Sequence, residues 1–285
     1  MKKIQIVYYS GTGCTKAVAE NLEQAFSERG CEAATYRITA GTTCEFADAD
    51  ALVLLFPVHA FTMPGPVYEW LRSITEGGGR QAAVISVSGG GEESPNTASR
   101  VRAKKIFKKK GYDVFFDDSI IMLSNAAVAT PEPFATMLLK VLPEKAGAAA
   151  DGILSGERKE LPVHFFDKFF AWCGRSIRHI AKLWGRGNKV SSECDGCGIC
   201  VGACSSGNIT MAGSKPDFGN NCCMCMGCFY ACPKEALSPK MAKSFIVNDY
   251  DLKGLEEKAL TAERVDVSGL PVSWIWLGVK KYLLS

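Results

Sequence analysis

Short apolar runs alternate with amphipathic stretches through the first half of the chain. IQIVYYS (4–10) is apolar and β-rich and ends in a glycine-rich turn. TKAVAENLEQAFSERG (15–30) follows, with Val18, Leu22, Ala25 and Phe26 at helical spacing and Gly30 as a stop. EAATYRI (32–38) reads as a second strand, and DALVLLFP (50–57) as a third, apolar throughout as a strand covered on both faces is. AAVISVSGGG (82–91) is a fourth strand running into glycines, and YDVFFDDSIIML (112–123) a fifth. Between them, NTASRVRAKKIFKKKG (96–111) is a helix whose lysines gather at its carboxyl end and complement the dipole. A helix or helix pair is expected from about Pro133 to Ile153. Strands alternating with helices predict an α/β fold, a doubly wound parallel five-stranded sheet covered on both faces.

The pattern then changes. VHFFDKFFAWCGRSIRHIAKLWGRGNK (163–189) reads as one amphipathic basic helix. Phe166, Phe170, Cys173, Ile177, Ile180 and Trp184 form its stripe, with Arg175, Arg178, Lys182 and Arg186 off it. Such a helix can strap two parts of a chain together or lie on an anionic membrane surface. The strap is favoured, because the stripe is wide and Trp274 and Trp276 in the tail need somewhere to bury.

Composition adds one strong feature. The 285 residues are 47% hydrophobic and 22% charged, but they include 13 cysteines, nine of them between Cys194 and Cys232. The opening MKKIQIVYYSGTG has too brief an apolar run for a secretory signal, so a disulfide scaffold is not expected. The expectation is a reducing, cytoplasmic compartment with thiolates used for metal, and no stretch spans a bilayer.

SGTGCTK (10–16) joins the first strand to the first helix. It is not a Walker loop, since Thr15 precedes Lys16 and Ala17 follows it. It is a poor dinucleotide fingerprint, since Lys16 stands at the third glycine and the second strand ends near Arg37 rather than at an acid for the ribose. The remaining reading is a Ser/Thr-x-Thr-Gly-x-Thr phosphate cradle, with hydroxyls from Ser10, Thr12 and Thr15 and amides at a helix start. In this form the stretch resembles the phosphate loop of the flavodoxin family, and the resemblance extends over residues 1–158. It implies FMN, with Ser10, Gly11, Thr12, Gly13, Cys14 and Thr15 around the phosphate. Pro57, Val58, His59, Ala60 and Phe61 after the third strand, and Ser88, Gly89, Gly90 and Gly91 after the fourth, would hold the isoalloxazine. His59 or Phe61 would lie against the ring, and the amides of 88–91 would face its polar edge. Cys14 is either a thiol activated by the helix N-terminus or a small tolerated residue.

The cysteines form one pattern used twice, Cys194-x2-Cys197-x2-Cys200-x3-Cys204 and Cys222-x2-Cys225-x2-Cys228-x3-Cys232-Pro233, a repeat of about 28 residues. Zinc sites use two C-x2-C knuckles from separate hairpins, which this run suits poorly. The pattern matches the C-x2-C-x2-C-x3-C-P run of bacterial ferredoxins, with Ser205 in place of proline once, and resembles dicluster ferredoxins. That resemblance implies two [4Fe-4S] clusters and a crossed ligand set. Cys194, Cys197, Cys200 and Cys232 would hold one cluster, and Cys222, Cys225, Cys228 and Cys204 the other. Cys223 is out of register and reads as spare; Cys31, Cys44 and Cys173 read as small apolar residues.

The order of parts resembles the EFR1 family of flavodoxin–ferredoxin fusions. The expected organisation is a flavodoxin-like FMN domain (1–158), a linker helix (159–189), a small α+β dicluster ferredoxin domain (190–240) and a C-terminal extension (241–285). The formal charge of +3 says little about nucleic acid, because phosphate and clusters would offset it, and no nucleic-acid partner is expected. The implied function is electron transfer between FMN, the two clusters and a redox partner, whether a protein or a small-molecule donor or acceptor. A flavin-dependent iron–sulfur reductase is the alternative, and a redox sensor or scaffold a third reading.

Overall fold

The structure is a computed structural model and describes residues 2–42, 48–247 and 250–285; Cys44 lies outside the described residues. Five strands, β1 (Lys3–Tyr8), β2 (Glu32–Arg37), β3 (Ala51–Pro57), β4 (Gln81–Ser88) and β5 (Asp113–Ile121), pair in parallel in the order β2-β1-β3-β4-β5. This is the flavodoxin-like order, with the direction of winding reversing between β1 and β3. The carboxyl ends of the strands flanking that reversal form a natural ligand crevice.

Each sheet face has its own core. Helices α1 (Cys14–Glu28) and α4 (Glu132–Ser155) cover one face through Val18, Leu22, Phe26, Leu142 and Ile153. Helices α2 (Gly65–Ser73) and α3 (Val101–Lys109) cover the other through Val67, Trp70, Leu71 and Phe107. The sequence pattern does not reveal α2, because its start, Pro-Gly-Pro at 64–66, reads as a loop; proline in the first turn is in fact compatible with a helix. Helix α3 starts later than the pattern suggests, at Val101, and α4 is a single helix with Pro143 inside it. Arg100, at the start of α3, and Lys104 pair with Asp117 on β5, a buried ionic contact under the sheet.

The 163–189 segment forms two short helices, α5 (Asp167–Gly174) and α6 (Ile177–Arg186), where one was expected. Trp184 is buried at the end of the expected stripe, but Phe166 at its start is exposed. Beyond them, β6 (Lys189–Val190) pairs with β9 (Leu237–Ser238), enclosing α7 (Ile199–Ala203), a hairpin of β7 (Ile209–Ala212) and β8 (Lys215–Phe218), and α8 (Gly227–Tyr230). The tail returns to the sheet domain. Helix α9 (Leu252–Thr261) packs on α4, and Trp276 and Val279, at the start of α10 (Leu277–Leu284), bury against Phe134, Met137 and Leu138. Trp276 is thus buried against α4 rather than against the 163–189 stripe, whereas Trp274 is 81% exposed. Among the described residues no helix is long and apolar enough to cross a membrane.

Candidate functional site

A cavity of about 330 Å³ opens at the carboxyl ends of the strands. Ser10, Gly11, Thr12, Cys14 and Thr15 line it, as do Pro57 to Phe61 and Ser88 to Gly90. Gly13 and Gly91 do not; Gly13 packs against Leu252, and Gly91, with φ +91°, against Gly278. The volume is within the range of small-molecule sites. Helix α1 starts at the loop with no side-chain cap and no acid in its first turn. Its amide end is therefore short of hydrogen-bond acceptors, which suits a phosphate. Gly13 N donates to Ser10 Oγ (3.2 Å), and Asn125 Nδ2 donates to Thr12 Oγ1 (2.7 Å). The Gly90 amide is taken up by Ser88 Oγ at 3.3 Å, so not all of 88–91 is turned to the cavity. Ala60 and Phe61 adopt positive φ, 46° and 66°, which holds the 57–61 loop in a conformation side chains rarely adopt.

Sequence reasoning missed the loop after β5, Ser124 to Val128, and Ile275 and Trp276, which also line the cavity. The first could have been found from the rule that ligands sit beyond strand carboxyl ends. The tail residues carry no local signal.

Two of the expected residues behave differently from an exposed side chain. His59 is half-buried, and burial lowers its pKa to about 4, partly offset by a hydrogen bond with the Cys223 backbone. Burial also pushes the Cys14 thiol up to about 11, the opposite of activation by a helix N-terminus; its Sγ lies 3.2 Å from Tyr250 Oη.

The cysteine runs repeat in backbone as well as in sequence. Gly196 and Gly198 take positive φ (77° and 73°), and so do Met224 and Met226 (56° and 64°) at the matching places. Asn208 N donates to Cys204 Sγ (3.2 Å) and Ala236 N to Cys232 Sγ (3.4 Å), again at matching places. The described cysteines are free thiols. Cys194, Cys197, Cys200 and Cys232 line one small cavity together. Cys232 therefore sits with the first three cysteines of the other run. Cys204 lies within electrostatic reach of Cys222 and Cys228, while Cys225 hydrogen-bonds with Cys223 and Tyr9. Among the described residues no three His, Cys, Asp or Glu side chains converge on a single-ion site. A four-iron cluster instead takes one thiolate at each corner and asks for sulfurs spread around a volume. Burial pushes the Cys222 thiol up to about 12.

The two sites adjoin. A Cβ on Gly11 would lie 2.6 Å from Cys225 Cβ, and Gly227 packs on the Gly11 carbonyl. Arg37, at the end of β2, donates to Ser10 O (3.1 Å) and to Ser205 Oγ (2.6 Å), fastening the glycine loop to the turn after Cys204. Tyr9 Oη lies 2.9 Å from Cys223 Sγ, so the cysteine read as spare meets the end of the first strand. Tyr230 Oη donates to Asn125 O (2.8 Å) in the cavity wall.

No family model matches the chain, and no curated protein matches it. Solved flavodoxins align with its first half. A short-chain flavodoxin associated with a non-canonical PDU bacterial microcompartment is 21% identical, over 54% of this chain and 98% of its own, with a TM-score of 0.41. The two-electron reduced flavodoxin of Megasphaera elsdenii is 21% identical over 52% of this chain and 98% of its own, with a TM-score of 0.37. Rubredoxin oxygen:oxidoreductase from Desulfovibrio gigas is 17% identical over 55% of this chain and 37% of its own, with a TM-score of 0.36. The flavodoxin-like fold rests on the strand order.

Proposed function

We propose that the chain is an electron-transfer protein that holds FMN in the strand-end cavity and two [4Fe-4S] clusters on the crossed cysteine quartets, in the manner of a flavodoxin–ferredoxin fusion. When bound, the flavin would exchange electrons in pairs or singly and the clusters one at a time, so that one chain links two-electron and one-electron partners. The residues of the 10–15 loop and the start of α1 hold the phosphate; the 57–61 and 88–90 loops orient the ring. The cysteines hold the clusters, and backbone amides such as those of Asn208 and Ala236 hydrogen-bond their sulfurs. One observation carries the reading: the glycine loop of the cavity packs directly on the Cys225 loop. That contact would bring the two kinds of redox group together within one chain.

The test is an anaerobic redox titration of the full chain, reconstituted with FMN, iron and sulfide, followed by visible absorption and EPR. One saturable flavin and two interacting cluster signals are expected. Failure to bind FMN would remove the first half of the reading, and failure to assemble two clusters would remove the second.

A second reading is favoured by a larger cavity of about 690 Å³, which shares His59 with the first and reaches Cys222 and Cys223. It offers room for a small organic substrate, as an iron–sulfur flavoprotein reductase would require. Steady-state turnover with small-molecule oxidants, saturating with their concentration and lost on filling that cavity (for example Ala181→Phe), would favour this reading over a carrier.

A further inference from the structure

Helix α5 turns Asp167, Ala171 and Gly174 inward. Asp167, the sole acid between residues 163 and 189, is fully buried. It accepts hydrogen bonds from Ser94 Oγ (2.6 Å), Thr97 Oγ1 (2.5 Å) and Thr97 N (3.3 Å). Gly174 seats the same face of the helix on the Ala60 carbonyl. The aromatic side is left outward: Phe165, Phe166, Phe169 and Trp172 are 79%, 74%, 59% and 59% exposed. Ile180 and Leu183 on α6 are exposed as well, at 53% and 64%. Folding has anchored these helices by a buried carboxylate while leaving their apolar surface in water, and a contiguous patch of this kind marks a contact surface.

Within residues 163–189 Asp167 is buried, and near α6 Glu69 lines a cavity with Lys182. Lys168, Lys182, Arg186 and Lys189 are exposed, and among the described residues no carboxylate pairs with them. Lysine is depleted at protein–protein interfaces, whereas Phe, Trp and Leu interleaved with Lys and Arg is the composition of helices that lie in a membrane interface. The patch also leads to the cavity. Trp172 stacks on Phe169 (6.1 Å), Phe169 meets Phe170 (6.1 Å), and Phe170 meets Phe61 in the cavity wall (5.9 Å).

We propose that α5 and α6 form a docking surface for an anionic lipid bilayer. The protein lies on the membrane with Phe165, Phe166, Phe169 and Trp172 in the interfacial layer, the lysines toward the headgroups, and the mouth of the cavity near the lipid. This binding is peripheral and does not depend on either cofactor.

The full chain is sedimented with vesicles of phosphatidylcholine, with and without phosphatidylglycerol. It should bind the anionic vesicles, and binding should fall as salt is raised. The bound fraction should drop on the order of tenfold in F165S/F166S/F169S and in K168E/K182E. Both variants should keep the wild-type circular dichroism and Tm, because the altered side chains are exposed. Brominated lipid should quench tryptophan fluorescence less in Trp172→Phe. No binding to anionic vesicles, or binding that both variants leave unchanged, would overturn the proposal. Salt-insensitive self-association abolished by F165S/F166S/F169S would also overturn it, by assigning the face to a protein.

Discussion

Gly11 is the point where the glycine loop and the second cysteine run touch. Nothing in SGTGCT says that a partner will sit there, because the partner lies more than 200 residues away in sequence. The loop itself was legible, since the phosphate cradle is a local pattern; the reason its second residue must be glycine was not. Alanine at this position would bring its Cβ 2.6 Å from that of Cys225 and 2.9 Å from its carbonyl oxygen. Gly11→Ala should therefore displace the Cys225 loop, lowering Tm and perturbing the EPR signal of the site built on Cys222, Cys225 and Cys228. An unchanged signal would mean the contact is not tight. His59 makes a second residue-scale expectation. Its folded pKa, about 4, lies below the ordinary value of 6.5. The unfolded chain then binds more protons between those values, so the residue costs nothing above pH 6.5 and destabilises progressively as pH falls toward 4. The full effect is on the order of 3 kcal/mol at most. Denaturant titrations across that window should show a smaller loss of stability on acidification in His59→Gln than in wild type. Equal slopes would place the imidazole in water.

At the scale of elements, the five strands were readable because burial on both faces makes strands such as β3 apolar throughout. The small elements around the cysteines were not. β6 and β9 are two residues each, and their pairing joins positions almost 50 apart, so no periodicity announces them. The α5–α6 segment misled in another way. Helical spacing of its apolar residues fits a stripe, but spacing does not say whether a stripe faces a core or the outside. The deciding residue is Asp167, whose buried hydrogen bonds fix α5 with its aromatic face outward. Asp167→Ala would leave the Ser94 and Thr97 hydroxyls without their acceptor and should cost about 2–4 kcal/mol. Proteolysis should then cut first within 163–175; a variant as stable and as resistant as wild type would show that other contacts hold the helix.

At the scale of the molecule, the chain returns on itself twice. Cys232 reaches back to the first cysteine run, and the tail packs on the first sheet domain through Trp276 and Val279. The crossed assignment has a direct consequence. Cys232→Ser should perturb the EPR signal of the site on Cys194, Cys197 and Cys200 and leave the other intact; the reverse pattern would contradict the crossed assignment. Losing one site should also lower the stability of the small domain as a whole, because each run contributes to both.

In the proposed function, flavin and clusters exchange electrons inside a single chain. Anaerobic stopped-flow reduction of the reconstituted full chain tests it most directly, with flavin and cluster absorbance followed separately at several protein concentrations. The two signals should equilibrate at one rate, independent of protein concentration, because the glycine loop and the Cys225 loop are in contact. A rate that rises in proportion to protein concentration would mean transfer between molecules, and would contradict it.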